Sequence, residues 1–132
     1  MTQEDFQKKY FEFQVLNEKL AHLQEQHSTL ESHLNDLTLL ISSLDSVENL
    51  KKENEILIPL SNTIFAKAEL KETKNFIVGV GANVLIEKSK EELLETIEIQ
   101  RKELSSILLK LEEEIKKIAS RAQSLQSELL EQ

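Results

Sequence analysis

Residues 55–88 read EILIPLSNTIFAKAELKETKNFIVGVGANVLIEK, and this stretch decides the fold. It holds the only proline, Pro59, and both glycines, Gly79 and Gly81. Its apolar residues alternate with period two, the mark of a strand. Ile56, Ile58 and Leu60 share one face of a first strand; Ile64, Ala66, Ala68 and Leu70 share one face of a second. Phe76, Val78 and Val80 line a third, and Val84 and Ile86 a fourth. The links are short and polar: Ser61-Asn62-Thr63, Lys71 to Lys74, and Gly81-Ala82-Asn83. Gly and Asn tolerate the positive φ of tight hairpin turns. The expectation is two consecutive β-hairpins, with Pro59 on an edge because it cannot donate to a ladder.

Two hairpins with one apolar face each leave unpaired edges and an uncovered side. The apolar stripes of the flanking segments are too narrow to cover both. Assembly with hairpins of other chains follows, through Ile56, Ile58, Leu60, Ile64, Phe65, Phe76, Val78, Val80, Val84 and Ile86.

On either side the sequence turns helical. Thr2 with Asp5 three residues on is a weak capping box. A 3-4 seam then runs through Phe6, Phe13, Leu20, His27, Leu34 and Ile41, interleaved with Lys9, Leu16, Leu23, Leu30, Leu37 and Leu44. The helix is expected to fray between Asn49 and Asn54. Ser89-Lys90-Glu91-Glu92 is a better capping box, with acids in the first turn where the helix dipole favours them. The seam after it is Leu94, Arg101, Leu108, Ile115, Ala122 and Leu129 with Ile97, Leu104, Leu111, Ile118 and Leu125. Two seams of similar length joined by a compact β-block are expected to fold back as one antiparallel coiled coil. Helices of about 45 residues reach on the order of 65 Å. Both termini then meet at one tip.

The chain of 132 residues is read as a single unit: a helix over 2–50, an assembly block over 55–88 and a helix over 89–131. The fold class is mainly α, a two-helix antiparallel coiled coil joined by two hairpins that are expected to assemble with those of other chains.

The net charge of −8 is carried by the helices. Residues 1–54 hold ten acids against five Lys and Arg, and 89–132 ten against seven, while 55–88 balance at four and four. No basic surface is present for nucleic acid. With no Cys there is no disulfide or thiolate site. No apolar run approaches the ~20 residues of a membrane span, and MTQEDFQKKY does not resemble a signal peptide. The expectation is a cytoplasmic protein without membrane or nucleic-acid partners.

Catalysis and cofactors are not expected. Gly79-Val80-Gly81 has no third glycine and opens no helix, so it lacks the context of a phosphate-binding loop. His27 and Arg101 interrupt the seams and are read as register control. His22 and His33 are not at ligand spacing from His27, so no metal site is expected. Glu112-Glu113-Glu114 point in different directions on a helix and read as a solvated face. The clustered aromatics Phe6, Tyr10, Phe11 and Phe13 are different. Tyr10 and Phe11 lie off the seam, and the seam itself weakens here at Lys9 and Ala122. With Leu125, Leu129 and Leu130 they are candidates for an open apolar tip that grips non-native protein.

Ile56-Leu57-Ile58-Pro59-Leu60, Phe65-Ala66-Lys67-Ala68-Glu69-Leu70 and the run from Ile77 to Ser89, with the helix, two hairpins, helix layout, resemble the α-type subunits of prefoldin over nearly the whole chain. Where that family often carries Gly, this chain has Ser61-Asn62-Thr63 and Asn83; Asn is the next best residue for such turns. The resemblance implies two α-type and four β-type subunits in a hexamer, hairpins joined into β-barrels, and six coiled coils hanging from that body. It implies tips that hold unfolded client proteins without ATP and deliver them to a group II chaperonin. A structural scaffold or filament subunit that polymerises through the same hairpins is the alternative; a coiled-coil arm gripping nucleic acid is disfavoured by the acidic helices.

Overall fold

The computed structural model describes residues 2–50 and 54–131. Lys51, Lys52 and Glu53, inside the stretch where the first helix is expected to fray, lie outside the described residues. The order is α1 (Gln3–Glu48), β1 (Glu55–Pro59), β2 (Phe65–Glu69), β3 (Asn75–Gly79), β4 (Leu85–Ser89) and α2 (Lys90–Leu130).

Nothing in residues 3–48 interrupts a helix, since the first proline comes only at 59. Thr2 caps α1: its Oγ1 accepts from the Asp5 amide at 3.1 Å. Ser89 caps α2: its Oγ accepts from the Glu92 amide at 3.2 Å and its hydroxyl donates to the Glu92 carboxylate at 3.3 Å. Both caps satisfy amides that an α-helix leaves without an internal partner. The heptads are read out faithfully. Between Gln3 and Ser46 every seam residue is buried or half-buried, and every other residue is exposed. Among the described residues no helix is long and apolar enough to cross a membrane.

The chain forms two compact units. One comprises residues 1–35 with 101–132. Its core is Leu23, Leu104, Leu108, Ile118, Ala122 and the fully buried Leu125. Ion pairs cross from α1 to α2 here: Lys9 to Glu128 at 3.0 Å, Arg121 to Glu12 at 3.2 Å, Lys19 to Glu114 at 3.6 Å and His27 to Glu112 at 3.0 Å. Numbers rise on one helix as they fall on the other, so the pairing is antiparallel. Half-exposed pairs of this kind contribute little energy each; their value is in register.

The other unit comprises residues 36–100. Leu37, Leu44 and Ile97 are buried in it. So is Lys90, whose ammonium contacts Asp45 at 2.7 Å and also Glu48. Each charge stands at the wrong end of its own helix dipole: two acids close α1 and a lysine opens α2. Their mutual attraction offsets that cost and joins the two helix ends. Hydrogen bonds to Asp45 and then Glu48 raise the Lys90 pKa above the ordinary 10.5.

The strands form two separate antiparallel hairpins, β1 with β2 and β3 with β4. The first turn is held by the Ser61 hydroxyl oxygen, which accepts from the Thr63 and Ile64 amides. In the second, Gly81, Ala82 and Asn83 all take positive φ, at 103°, 50° and 61°. Asn83 thus serves where Gly is commonest.

The bonds flanking each ladder fix which backbone groups face inward. Leu60 donates to Ile64 O at 2.9 Å and Leu70 to Asn54 O at 3.0 Å; Val80 donates to Val84 O at 3.0 Å and Lys90 to Lys74 O at 2.9 Å. In an antiparallel pair, bonded and non-bonded positions alternate. The even-numbered strand residues therefore bond within their hairpin, and the odd-numbered ones turn both amide and carbonyl outward. The expectation of one apolar face is corrected. Leu57, Phe65, Ile77 and Leu85 lie on the face opposite Ile56, Ala66, Val78 and Ile86, and all four are exposed.

Two outcomes test this packing. Leu125→Ala leaves a cavity in the first unit and costs about 2–5 kcal/mol, measured as an earlier midpoint in denaturant by circular dichroism. Lys90 gains partners on folding, so its stabilisation is complete below pH 10.5 and is lost as pH rises through the raised folded-state value. The difference in thermal midpoint between the unaltered chain and Lys90→Met is accordingly constant at neutral and mildly alkaline pH and disappears above that range.

Candidate functional site

Two surfaces leave apolar residues uncovered. The first lies in the unit of residues 1–35 with 101–132, where the chain's two terminal segments pair. Lys9 and Glu128 tie them together at 3.0 Å. Next to Lys9 the rings of Phe6 and Tyr10 stack, with centroids 6.4 Å apart and planes within 5°. Phe6 and Phe13 face the seam and are half-buried, as is Leu129. Phe11 and Leu130 stand off the seam at 67% and 78% exposure, and Tyr10 is also exposed. Leu125 departs from expectation. It is 0% exposed and fills the seam, so it offers no surface to a client while the helices remain paired.

Farther along the same unit, the seam residue His27 acts across the helix pair. His27 Nε2 meets Glu112 at 3.0 Å and its Nδ1 meets Glu31 at 3.5 Å. Glu112 and Glu114 both reach α1 residues, so the acidic run is a source of cross-helix partners as well as a solvated face. Among the described residues no group of His, Cys, Asp and Glu is placed to hold a metal ion. Gly79 ends β3 and Gly81 opens the turn that follows, so the G-x-G sequence serves the second hairpin.

The second surface is the pair of hairpins in the unit of residues 36–100. Of the residues singled out from sequence, Leu60, Ile64, Phe65, Val80 and Val84 are largely exposed, Ile58 and Ile86 less so, and Ile56, Phe76 and Val78 are half-buried. Period-two reading missed Leu57, Ile77 and Leu85, the last two at 66% and 67% exposure. The signal was present in the unbroken apolar runs Ile56-Leu57-Ile58, Phe76-Ile77-Val78 and Val84-Leu85-Ile86, which mark strands destined for cover on both faces. Beside β3, an open groove of about 440 Å³ is walled by Leu40, Leu44, Phe76, Val78, Leu93 and Ile97.

Comparison with known proteins agrees with this architecture. The family model "Prefoldin subunit" matches residues 16–132. The prefoldin subunit alpha of Thermofilum pendens is 26% identical over 118 residues, covering 89% of this chain and 92% of the relative. That of Methanococcus aeolicus is 34% identical over 117 residues, covering 86% and 79%. Among solved structures, the cryo-EM structure of a filamentous PFD from Methanocaldococcus jannaschii has the same fold, with a TM-score of 0.76 at 22% identity over 90% of this chain and 98% of that one. Two capped helices, two open hairpins and a family match across most of the sequence have one reading: the chain belongs to the prefoldin family, and the relatives named here are its alpha subunits.

Proposed function

We propose that the chain is the α-type subunit of a cytoplasmic prefoldin hexamer, two α-type with four β-type subunits. In this reading it is a nucleotide-independent holdase. It captures unfolded polypeptides where the terminal segments of α1 and α2 pair, and it passes them to a group II chaperonin. The hairpins complete β-barrels with those of neighbouring subunits. The observation that carries the reading is the exposure of Tyr10, Phe11 and Leu130 in the unit where the terminal segments of the two helices pair.

The magnitudes suit transient capture. Covering on the order of 100–200 Å² at one tip contributes roughly 2.5–5 kcal/mol, a contact no tighter than about 0.2 mM. Several tips on one body raise the effective concentration without any single strong bond. A client therefore stays soluble and yet is released.

Changing Tyr10, Phe11 and Leu130 together to Ser leaves the seam intact. It weakens the contact at each tip by about tenfold or more, since each 1.4 kcal/mol is tenfold and burial of one such side chain contributes more. The assay is suppression of aggregation of a denatured protein without nucleotide, with complex mass checked in parallel. Undiminished suppression by an intact complex sinks the tip assignment. Ile77→Asp with Leu85→Asp places charge on the uncovered hairpin face, and native mass spectrometry then records monomers or dimers with helicity largely retained. Closed hexamers of ordinary mass in that variant count against assembly through the hairpins, and fibres in electron micrographs of the unaltered mixture replace the closed hexamer with a filament.

A further inference from the structure

The charges around the uncovered Tyr10, Phe11 and Leu130 do not balance. Acids hold the outermost positions of this surface: Glu4 and Asp5 in the first turn of α1, Glu128 and Glu131 at the end of α2. The bases Lys8, Lys9 and Arg121 stand farther in, and each is already engaged. Lys8 meets Glu4 at 3.7 Å, Lys9 meets Glu128 at 3.0 Å and Arg121 meets Glu12 at 3.2 Å. Over residues 2–15 and 119–131 five acids thus face three bases. Among the described residues the acids left over, Asp5 and Glu131, join no ion pair, and both are exposed. Beside Tyr10 and Phe11, at helical spacing, stand the uncharged Gln7 and Gln14 and the paired Lys8.

We infer that this tip selects client segments in which lysine or arginine flanks the apolar residues. The inference rests on the capture reading above and adds to it which clients are preferred. Natural sequences flank aggregation-prone apolar runs with charged residues, so the sign of the flank is a property on which a tip can select. A cation arriving with an apolar segment meets two carboxylates that have no other partner, and it breaks no ion pair in doing so. The exposed rings of Tyr10 and Phe11 attract the same cation through their negative faces. These contacts stay in water, so each is weak; together they favour a basic flank over a neutral one by about threefold to tenfold. An acidic flank is repelled. At longer range the net charge of −8 draws basic segments toward the helices before contact is made.

The measurement uses the full chain assembled with a β-type prefoldin subunit. A photo-crosslinking amino acid in place of the exposed Gln7 reports on this tip and not on those of the partner chains. Should that chain not assemble, the exposed Gln14 takes the probe instead. Three peptides share one Leu- and Phe-rich stretch and differ only in their flanks: Lys, Ser or Glu. At low ionic strength the Lys-flanked peptide labels this chain about threefold to tenfold more than the Ser-flanked one, and the Glu-flanked peptide labels it least. The preference shrinks as added salt cuts the Debye length from ~30 to ~8 Å. Asp5→Asn combined with Glu131→Gln lowers the Lys-to-Glu ratio by about threefold. A probe at the exposed Ser106, away from the terminal segments, is labelled far less. Equal labelling by Lys and Glu flanks, indifference to salt, a ratio untouched in the double variant, or labelling at Ser106 equal to that at Gln7 overturns the inference. An assembled complex that none of the peptides labels overturns the capture reading beneath it instead.

Discussion

A two-stranded hairpin satisfies only half of its backbone. Every second residue turns its amide and carbonyl away from the partner strand, and these groups are strong donors and acceptors whose burial without a partner costs free energy. Here the condition occurs twice, since β1–β2 and β3–β4 do not join into one sheet. Large apolar side chains stand on the same outward positions, at Leu57, Phe65, Ile77 and Leu85. Apolar surface favours leaving water, and the outward amides allow that only if another strand arrives with them. Both demands are met by the same event, and this joins the folding of the middle segment to association.

The helices solve a different problem. An acidic helix pair without a β-sheet to lean on has only its seam, and its ends must be held against fraying. Thr2 and Ser89 hold the two N-termini. At the other junction, Asp45 and Glu48 close α1 and Lys90 opens α2, each against its own dipole. A sequence tuned for isolated helices would place them the other way round. The arrangement is sensible only in a hairpin-linked pair, where the C-terminus of one helix meets the N-terminus of the next. These three residues thus carry tertiary information inside an apparently local pattern.

Much of this was legible before any coordinates. The heptads specified every covered position of α1 up to Ser46, because a narrow seam on a long helix has a period and little else competes with it. The hairpins and their turns followed from Pro, Gly, Asn and alternation. Three things were not legible. Alternation was read as one apolar face, although Leu57, Ile77 and Leu85 make two; a period-two rule discards the residues between its beats. That Leu125 serves the seam and not the open tip was the second, because its heptad position and its nearness to the terminus pointed opposite ways in the sequence, and only its burial decides between them. The phase of the hydrogen bonds, and hence the outward direction of Pro59, depends on pairing register, which composition does not encode.

The cross-helix pairs Lys9–Glu128, Glu12–Arg121, Lys19–Glu114 and His27–Glu112 have a consequence beyond their small energies. A leucine-rich seam is nearly degenerate under sliding: displaced by one heptad, Leu still finds Leu. The charges are not. A slip of that size carries acids on one strand of the pair past acids on the other, and the molecule is acidic enough for this to be felt. Like the graduations of a vernier, the scattered ions count the position that the greasy stripe alone would leave ambiguous.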